Sequence, residues 1–401
     1  MTSDPSAIDP DRLAETIAWL VGGCRSVQDN ADVLTELCER LIACGVPLAR
    51  GALFIRTLHP EIMGRRMLWK AGEGTVVSDA RFEYLQDPGY TASPIVRVYE
   101  TGRGLRRKLS DPDGPNDFVI LDELRQQGLT DYVVAPIVFG NGEMHVSTWC
   151  SAAPGGFSDR AIEILAAIGD PLARIVEARG LRRVAINLLD TYVGGQAGAR
   201  ILAGQIRRGD IEKIRAAIWL SDMRDFTARA DRMKPEDLIA LLNRYFDCQV
   251  PAIRAHGGEV LKFMGDGLLA IFPIDATGVH AGKSDIGIVC RAALAAAREV
   301  EAAVAAADWD GLEAPGAVKF GVALHVGEVL YGNVGSTNRL DFTCIGPAIN
   351  LAARIETLSG EIGRTILASA EFAAACDGGM APLGSYALKG VAAKQTVYGV
   401  R

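Results

Sequence analysis

No pair among the eight cysteines, at 24, 38, 44, 150, 248, 290, 344 and 376, is spaced C-x-x-C. Most lie within apolar periodic segments, which favours buried, reduced thiols and a cytosolic setting over a disulfide framework. The five histidines, at 59, 145, 256, 280 and 325, include no H-E-x-x-H and no paired spacing, so zinc finds no support. Long hydrophobic runs are missing too. Spanning a bilayer takes roughly 18–20 apolar residues, and stretches such as 16–23 (TIAWLVGG) break within a turn or two. The N-terminus carries Asp4, Asp9, Asp11 and Glu15, the wrong sign for a secretory or mitochondrial presequence. A cytoplasmic protein without a membrane span is expected. Positive charge is also short: 42 basic against 49 acidic residues give a net charge of −7. That argues against a broad nucleic-acid-binding face and leaves room only for a local basic pocket. Neither G-x-x-x-x-G-K-[ST] nor a strand-linked G-x-G-x-x-G occurs, and nothing repeats at a fixed period.

What is present is an ordinary globular composition, 49% hydrophobic and 23% charged, over 401 residues. At roughly 100–200 residues per domain that length implies two to three domains. Helical spacing predicts helices over 11–22 and 29–45, the second from Val33, Leu34, Leu37, Leu41 and Ile42. Strands are expected over 47–56 and 64–70, then an irregular Pro- and Gly-rich region from 87 to 116. At 131–150, YVVAPIVFG and EMHVSTWC flank Asn141-Gly142, a strong hairpin signal. Ser158 caps a helix whose apolar face runs through Ile162, Leu165, Ile168, Leu172 and Ile175 and on through Val176, Leu181, Val184 and Leu188. Arginines 174, 179, 182 and 183 take the other positions. That pattern suits either a helix pairing with its copy in a dimer or a solvated helix packed on its own domain. Residues 188–210 are glycine-rich yet carry Leu202 and Ile206, a linker with contacts. From 214 the pattern changes to strand (IRAAIWLSD), helix from Pro235 to Gly257-Gly258, and two strands about Gly265-Asp266-Gly267. An Ala-rich helix (283–307) and another strand (317–327) follow.

Two carboxylates stand at strand ends. Asp222 closes AAIWLSD just before a helix start at Phe226-Thr227, and Asp266 sits at a hairpin tip bracketed by glycines. Each alone reads as a turn-former or cap. If the strands are neighbours, the acids converge, and a convergent pair is what two Mg²⁺ ions need when phosphates and water complete their shells. The helix start offers free N–H groups to an anion. Asn350 and Arg354 are four apart on the expected helix 347–359, hence on one face.

These residues lie in segments that resemble class III adenylate/guanylate cyclases: AAIWLSDMRDFT, GGEVLKFMGDGLLAIF, VALHVGEVLYGNVGS, FTCIGPAINLAARIETLSG and YALKG, in family order and spacing. The resemblance implies an α+β catalytic domain with a ferredoxin-like βαββαβ core over 213–401. It assigns Asp222, Asp266 and the Met223 carbonyl to two Mg²⁺ (or Mn²⁺) ions, and Phe226 and Thr227 to the substrate. Lys262 and Thr343 fall at the base-reading positions, Asn350 at the ribose, Arg354 at the reacting phosphate and Lys389 at the terminal phosphates. The implied activity is adenylate cyclase, ATP to cyclic AMP and pyrophosphate. The implied assembly is a homodimer with shared sites. Guanylate cyclase is the runner-up, opposed by Lys262, and a nucleotide-binding partner without turnover is the other alternative. One departure stands out: Asp225 replaces the family's usual Gly before Phe-Thr, and it brings a charge near the triphosphate unless it points outward or pairs with Arg224. The N-terminal half resembles a GAF-type α+β sensor over 25–180, after a helical segment (1–24). A connecting helix and Gly-rich transducer (181–212) would carry its unidentified signal.

Overall fold

The computed structural model describes residues 8–276, 282–283, 285–309, 311–312 and 318–400. Asp4, His280, Arg401 and the first residue of the expected 317–327 strand lie outside them. The chain divides into two compact units, Met1–Leu188 and Leu189–Arg401.

In the first unit, α1 (Pro10–Val21) and α2 (Asn30–Ala43) start behind Asp9 and Asp29, whose carboxylates accept from the first free N–H groups. Leu13 and Leu20 of α1 are buried in the same core as Val33, Leu34, Leu37 and Leu41 of α2, so the N-terminal helix belongs to this unit's core. Three antiparallel strands follow, β1 (Arg50–Arg56), β2 (Ile62–Lys70) and β3 (Gly74–Arg81). The stretch 87–116, expected to be irregular, contains α3 (Pro88–Thr91), α4 (Pro94–Thr101) and β4 (Leu105–Lys108). Asp87 and Ser93 cap the two helices, with Pro at the first position of each. Elements of one or two turns are too short to show a period.

Helix α5 (Ile120–Gln126) leads to the hairpin of β5 (Asp131–Val138) and β6 (Met144–Ser151), giving a sheet ordered β3-β2-β1-β6-β5-β4. Val138 pairs with Met144, and Phe139 N–H donates to the Glu143 carbonyl. The loop is therefore three residues, with Gly142 in the left-handed region at φ +85°. Ser158 caps α6 (Asp159–Ala167) as expected, but the single helix expected from there to Leu188 is interrupted at Ile168. Helix α7 (Gly169–Tyr192) buries Leu172, Ala173 and Val176, but Leu181, Leu188 and Tyr192 are exposed, so the apolar stripe outlasts the core it packs on.

The second unit begins within the last turn of α7, at Leu189, and its first helix of its own is α8 (Gly195–Leu202) inside the glycine-rich stretch, where Leu202 and Ile206 are exposed and Ala197 and Ile201 make the contacts instead. Then come β7 (Ile211–Met223), α9 (Phe226–Ala230), α10 (Pro235–Ala255), β8 (Glu259–Met264), β9 (Gly267–Pro273), the short pair β10 (Asp275–Ala276) and β11 (Gly282–Lys283), α11 (Ile286–Ala306) and β12 (Phe320–Gly335). Omitting the short pieces, this is a βαββαβ unit, and its strands lie in the order β12-β7-β9-β8. First, second, third and fourth strands thus stand 4-1-3-2, the ferredoxin-like arrangement that the resemblance implies. β13 (Leu340–Ile345) pairs with the far end of β12. After α12 (Pro347–Ile362), β14 (Ile366–Ser369), α13 (Ala370–Ala375), β15 (Met380–Tyr386) and β16 (Gln395–Val400) extend the sheet beyond β12.

Period-two alternation along β7 sorts the faces. Ala217, Trp219 and Met223 join the core under α10 and α11, whereas Ile218 and Leu220 pack with Ala348 and Ala352 of α12. Asp222 shares the parity of the second set.

Candidate active site

Asp222 is the last residue but one of β7, where the strand is flanked by glycine on both sides. It lies opposite Gly321 of β12, and a Cβ on Gly267 of β9 would come within 3.3 Å of its Oδ1. The β8–β9 turn is two residues long, Met264 pairing with Gly267, which presents Asp266 at that same end of the sheet. The two carboxyls are within hydrogen-bonding reach of each other. Burial, then Asp266 itself and the nearby charge of Glu356, push the Asp222 carboxyl up to about 7. Two acids held together against their own repulsion form a donor set that suits a divalent cation. Among the described residues no group of three such side chains is placed to hold a metal, so the remaining ligands would be backbone, phosphate and water.

The chain turns sharply after Met223. Asp225 adopts φ +58°, ψ +22°, the left-handed region, and α9 begins at the next residue. A glycine takes this conformation without steric cost, and Asp is among the few other residues that tolerate it. The Asp225 and Thr227 side chains are exposed, while Phe226 packs partly against the core.

Lys262 is half-buried on β8 opposite Leu269, and Thr343 on β13 is 4% exposed opposite Gly332. The Thr343 hydroxyl is buried and has no hydrogen-bond partner among the described residues. β13 lies against β8, which brings the two base-reading candidates to one region. Asn350 and Arg354 are both exposed, one turn apart on α12. Lys389 is exposed in the β15–β16 hairpin, at the edge of the sheet opposite to β8 and Lys262.

Within one chain these groups do not all meet. Glu356 of α12 faces the acids: its Oε1 lies 2.8 Å from where a Cβ on Gly321 would be, and Gly321 is the register partner of Asp222. At 100° per residue, Arg354 stands about 160° around the helix from Glu356 and Asn350 about 120°. Glu356 and Arg224 were not legible as site residues. Their only signal is their placement beside motif positions, on faces the sequence alone does not orient.

Residues 211–398 match the family model of the adenylate and guanylate cyclase catalytic domain. The C-terminal unit belongs to that family. Adenylate cyclase 1 of Rhizobium meliloti (strain 1021) is 33% identical over 184 residues, 45% of this chain and 26% of its own length. The adenylate cyclase of Anabaena cylindrica is 32% identical over 155 residues, 38% of this chain and 29% of its own. The chain thus spans between a quarter and a third of these curated relatives. Among solved structures, the adenylyl cyclase CyaB from P. aeruginosa aligns with a TM-score of 0.41 at 25% identity, over 48% of this chain and 95% of that one. All the site candidates of this cyclase unit, Asp222 through Lys389, fall inside the matched segment.

The cyclase unit also holds its glycine-rich approach by a buried acid. Glu259, three residues before Lys262 on β8, accepts from Ala197 N–H (3.1 Å) and from the Tyr331 hydroxyl (2.8 Å). Gly194, at φ +95°, brings the chain against the Val260 carbonyl, where a Cβ would sit 3.1 Å away. Burial raises the Glu259 carboxyl above its usual range.

Proposed function

We propose that this protein is an adenylate cyclase that converts ATP to 3′,5′-cyclic AMP and pyrophosphate. The observation that carries the reading is the Asp222–Asp266 pair, held at one end of the sheet beside the turn into α9. Asp222, Asp266 and the Met223 carbonyl would hold two Mg²⁺ or Mn²⁺ ions. When bound, such ions acidify a hydroxyl and neutralise leaving phosphates. The rest falls to the chain. Lys262 and Thr343 read the edge of adenine, and the unpartnered Thr343 hydroxyl suits that task. Asn350 orients the ribose so that its 3′-oxygen lines up with the α-phosphorus. The 3′-hydroxyl gives up its proton to water, a bond forms between those two atoms as the bond from the α-phosphorus to the bridging oxygen breaks, and pyrophosphate leaves. Arg354 stabilises the charge that grows there, while Phe226, Thr227 and Lys389 contact the phosphates.

Arg354 faces away from the acids of its own chain, so the reading requires a homodimer in which each site takes its acids from one protomer and Asn350 and Arg354 from the other. Exposed apolar side chains around the candidates, namely Phe263 and Met264 on β8, Leu330 on β12, and Leu340 and Ile345 on β13, support burial against a second copy. The N-terminal unit is read as a GAF-like regulatory domain. A six-stranded antiparallel sheet with helices, and a cavity of about 470 Å³ lined by Arg56, Tyr90, Val96, Tyr99 and Met144, support a small-ligand input there.

The test is turnover of ATP and GTP by the full chain with Mg²⁺ or Mn²⁺. A single charged base reader is expected to favour ATP by about 10–100-fold in kcat/KM. Equal values would leave guanylate cyclase standing, and no turnover of either nucleotide would leave the non-catalytic partner.

A further inference from the structure

Arg224 follows the metal-site strand by one residue and runs along the end of α12. Its Nη2 donates to the Arg364 carbonyl at 2.8 Å, and its Nη1 lies 3.8 Å from where a Cβ on Gly360 would be. Glu356 is one helical turn before Gly360 on the same face. Its carboxyl, half-buried over Gly321, also accepts from the Ser359 hydroxyl at 3.3 Å. A third acid and a cation therefore flank Asp222 and Asp266, on the α12 side of the sheet. The charges are felt by their neighbours: burial, then Asp266 and Glu356, raise the Asp222 carboxyl, and burial raises that of Glu356 against the lowering pull of the Ser359 hydroxyl and Arg224, with Asp266 adding to the rise. Glu356 is not itself a ligand, because no third acid joins the pair closely enough among the described residues.

We propose that Glu356 and Arg224 act as opposed charges that set how tightly Asp222 and Asp266 hold a divalent cation. This rests on the reading of those two aspartates as the cation site. Glu356 adds negative potential where a dication would sit, and Arg224 offsets it. At the effective dielectric of partly buried sites a unit charge several ångströms from a dication is worth about a factor of ten or more in affinity. The arrangement gives α12 a second duty. Its outward face carries Asn350 and Arg354, and its inward face tunes the acids of its own chain.

The experiment is direct titration of full-length protein with Mn²⁺ alone, read by water-proton relaxation, for wild type, Glu356→Gln, Arg224→Gln, the double variant and Asp222→Asn. Glu356→Gln is expected to weaken Mn²⁺ about tenfold and Arg224→Gln to tighten it about threefold or more, with the double variant back within about threefold of wild type. Opposite signs mark charge tuning. A merely structural role loosens the same turn in both variants, and both would then bind more weakly, which overturns the proposal. So does a Glu356→Gln value within twofold of wild type. If Asp222→Asn binds as well as wild type, or wild type binds no Mn²⁺, the cation-site reading falls and takes this inference with it. If Asp222→Asn abolishes binding while Glu356→Gln leaves it unmoved, only the inference falls. Should thermal melting show Glu356→Gln unfolded, the sign for Arg224→Gln decides.

Discussion

Arg354 and Glu356 are two residues apart on α12 and look opposite ways. Arg354 is exposed, and Glu356 lies over Gly321 beside Asp222. That single helix geometry separates Arg354, the proposed phosphate-stabilising residue, from the acids of its own chain, and the proposal of a shared site rests on it.

The backbone at Asp225 predicts a graded mutational series. At φ +58° a β-branched side chain is strained, so Asp225→Val should cost about 1–2 kcal/mol in urea unfolding. Asp225→Gly should leave stability within about 1 kcal/mol, because relief of strain and added chain entropy oppose each other. It should also lower KM for ATP by roughly threefold, since a carboxylate near the triphosphate is gone.

Thr343→Val tests base reading without disturbing the core. The hydroxyl is buried and unpartnered, so the apolar isostere should unfold at the same or higher urea concentration. The ATP-over-GTP ratio of kcat/KM should nevertheless fall by about 5–10-fold. An unchanged ratio would remove Thr343 from the site.

Glu259 ties the glycine-rich segment to the strand that carries Lys262. Glu259→Ala leaves the Ala197 N–H and the Tyr331 hydroxyl buried without an acceptor and should cost about 2–4 kcal/mol. Glu259→Gln keeps one acceptor and should cost about half as much. The check is urea unfolding followed by the tryptophan signal of the cyclase unit.

In the N-terminal unit, His145 is 1% exposed; its Nδ1 accepts from Arg56 N–H at 3.1 Å, and burial pulls its pKa down to about 4. The unfolded imidazole titrates near 6.5, so between these values the unfolded state binds more protons. The stability that His145 supports is therefore complete above about pH 6.5 and is lost as pH falls toward 4. The loss should reach about 1–2 kcal/mol by pH 5. Thermal unfolding from pH 7.5 to 5 should show it, and His145→Gln should flatten that slope.

Most of the cyclase unit was legible because its strands and helices are long and its turns carry Gly or Pro at forced positions. The order of βαββαβ follows from the pattern, and convergence of Asp222 with Asp266 follows once β7 and β9 are neighbours. What stayed hidden is orientation. Nothing in INLAARIET says that Glu356 faces the acids while Asn350 and Arg354 face out, because that depends on which side of α12 meets the sheet. In the N-terminal unit, α3, α4 and β4 escaped because each is too short for a period, although Asp87-Pro88 and Ser93-Pro94 are readable caps. Leu202 and Ile206 misled for a different reason: the face of the short helix that packs is the one carrying Ala197 and Ile201, and Leu202 and Ile206 stay in solvent.

The most direct test of the account is complementation between two inactive variants. Asp222→Ala removes a cation ligand and Arg354→Ala removes charge stabilisation, so each alone should be nearly inactive. In a mixed dimer one site receives both defects and the other receives neither. Random 1:1 mixing with exchanging protomers makes about half the dimers mixed, so ATP turnover should recover to about a quarter of wild type. Asp222→Ala mixed with Asp266→Ala should recover nothing, because both acids serve the same half of each site. Failure of the first mixture to gain activity, with mixed dimers present by native mass measurement, would contradict shared sites. Recovery in the second would contradict a joint role for the two acids.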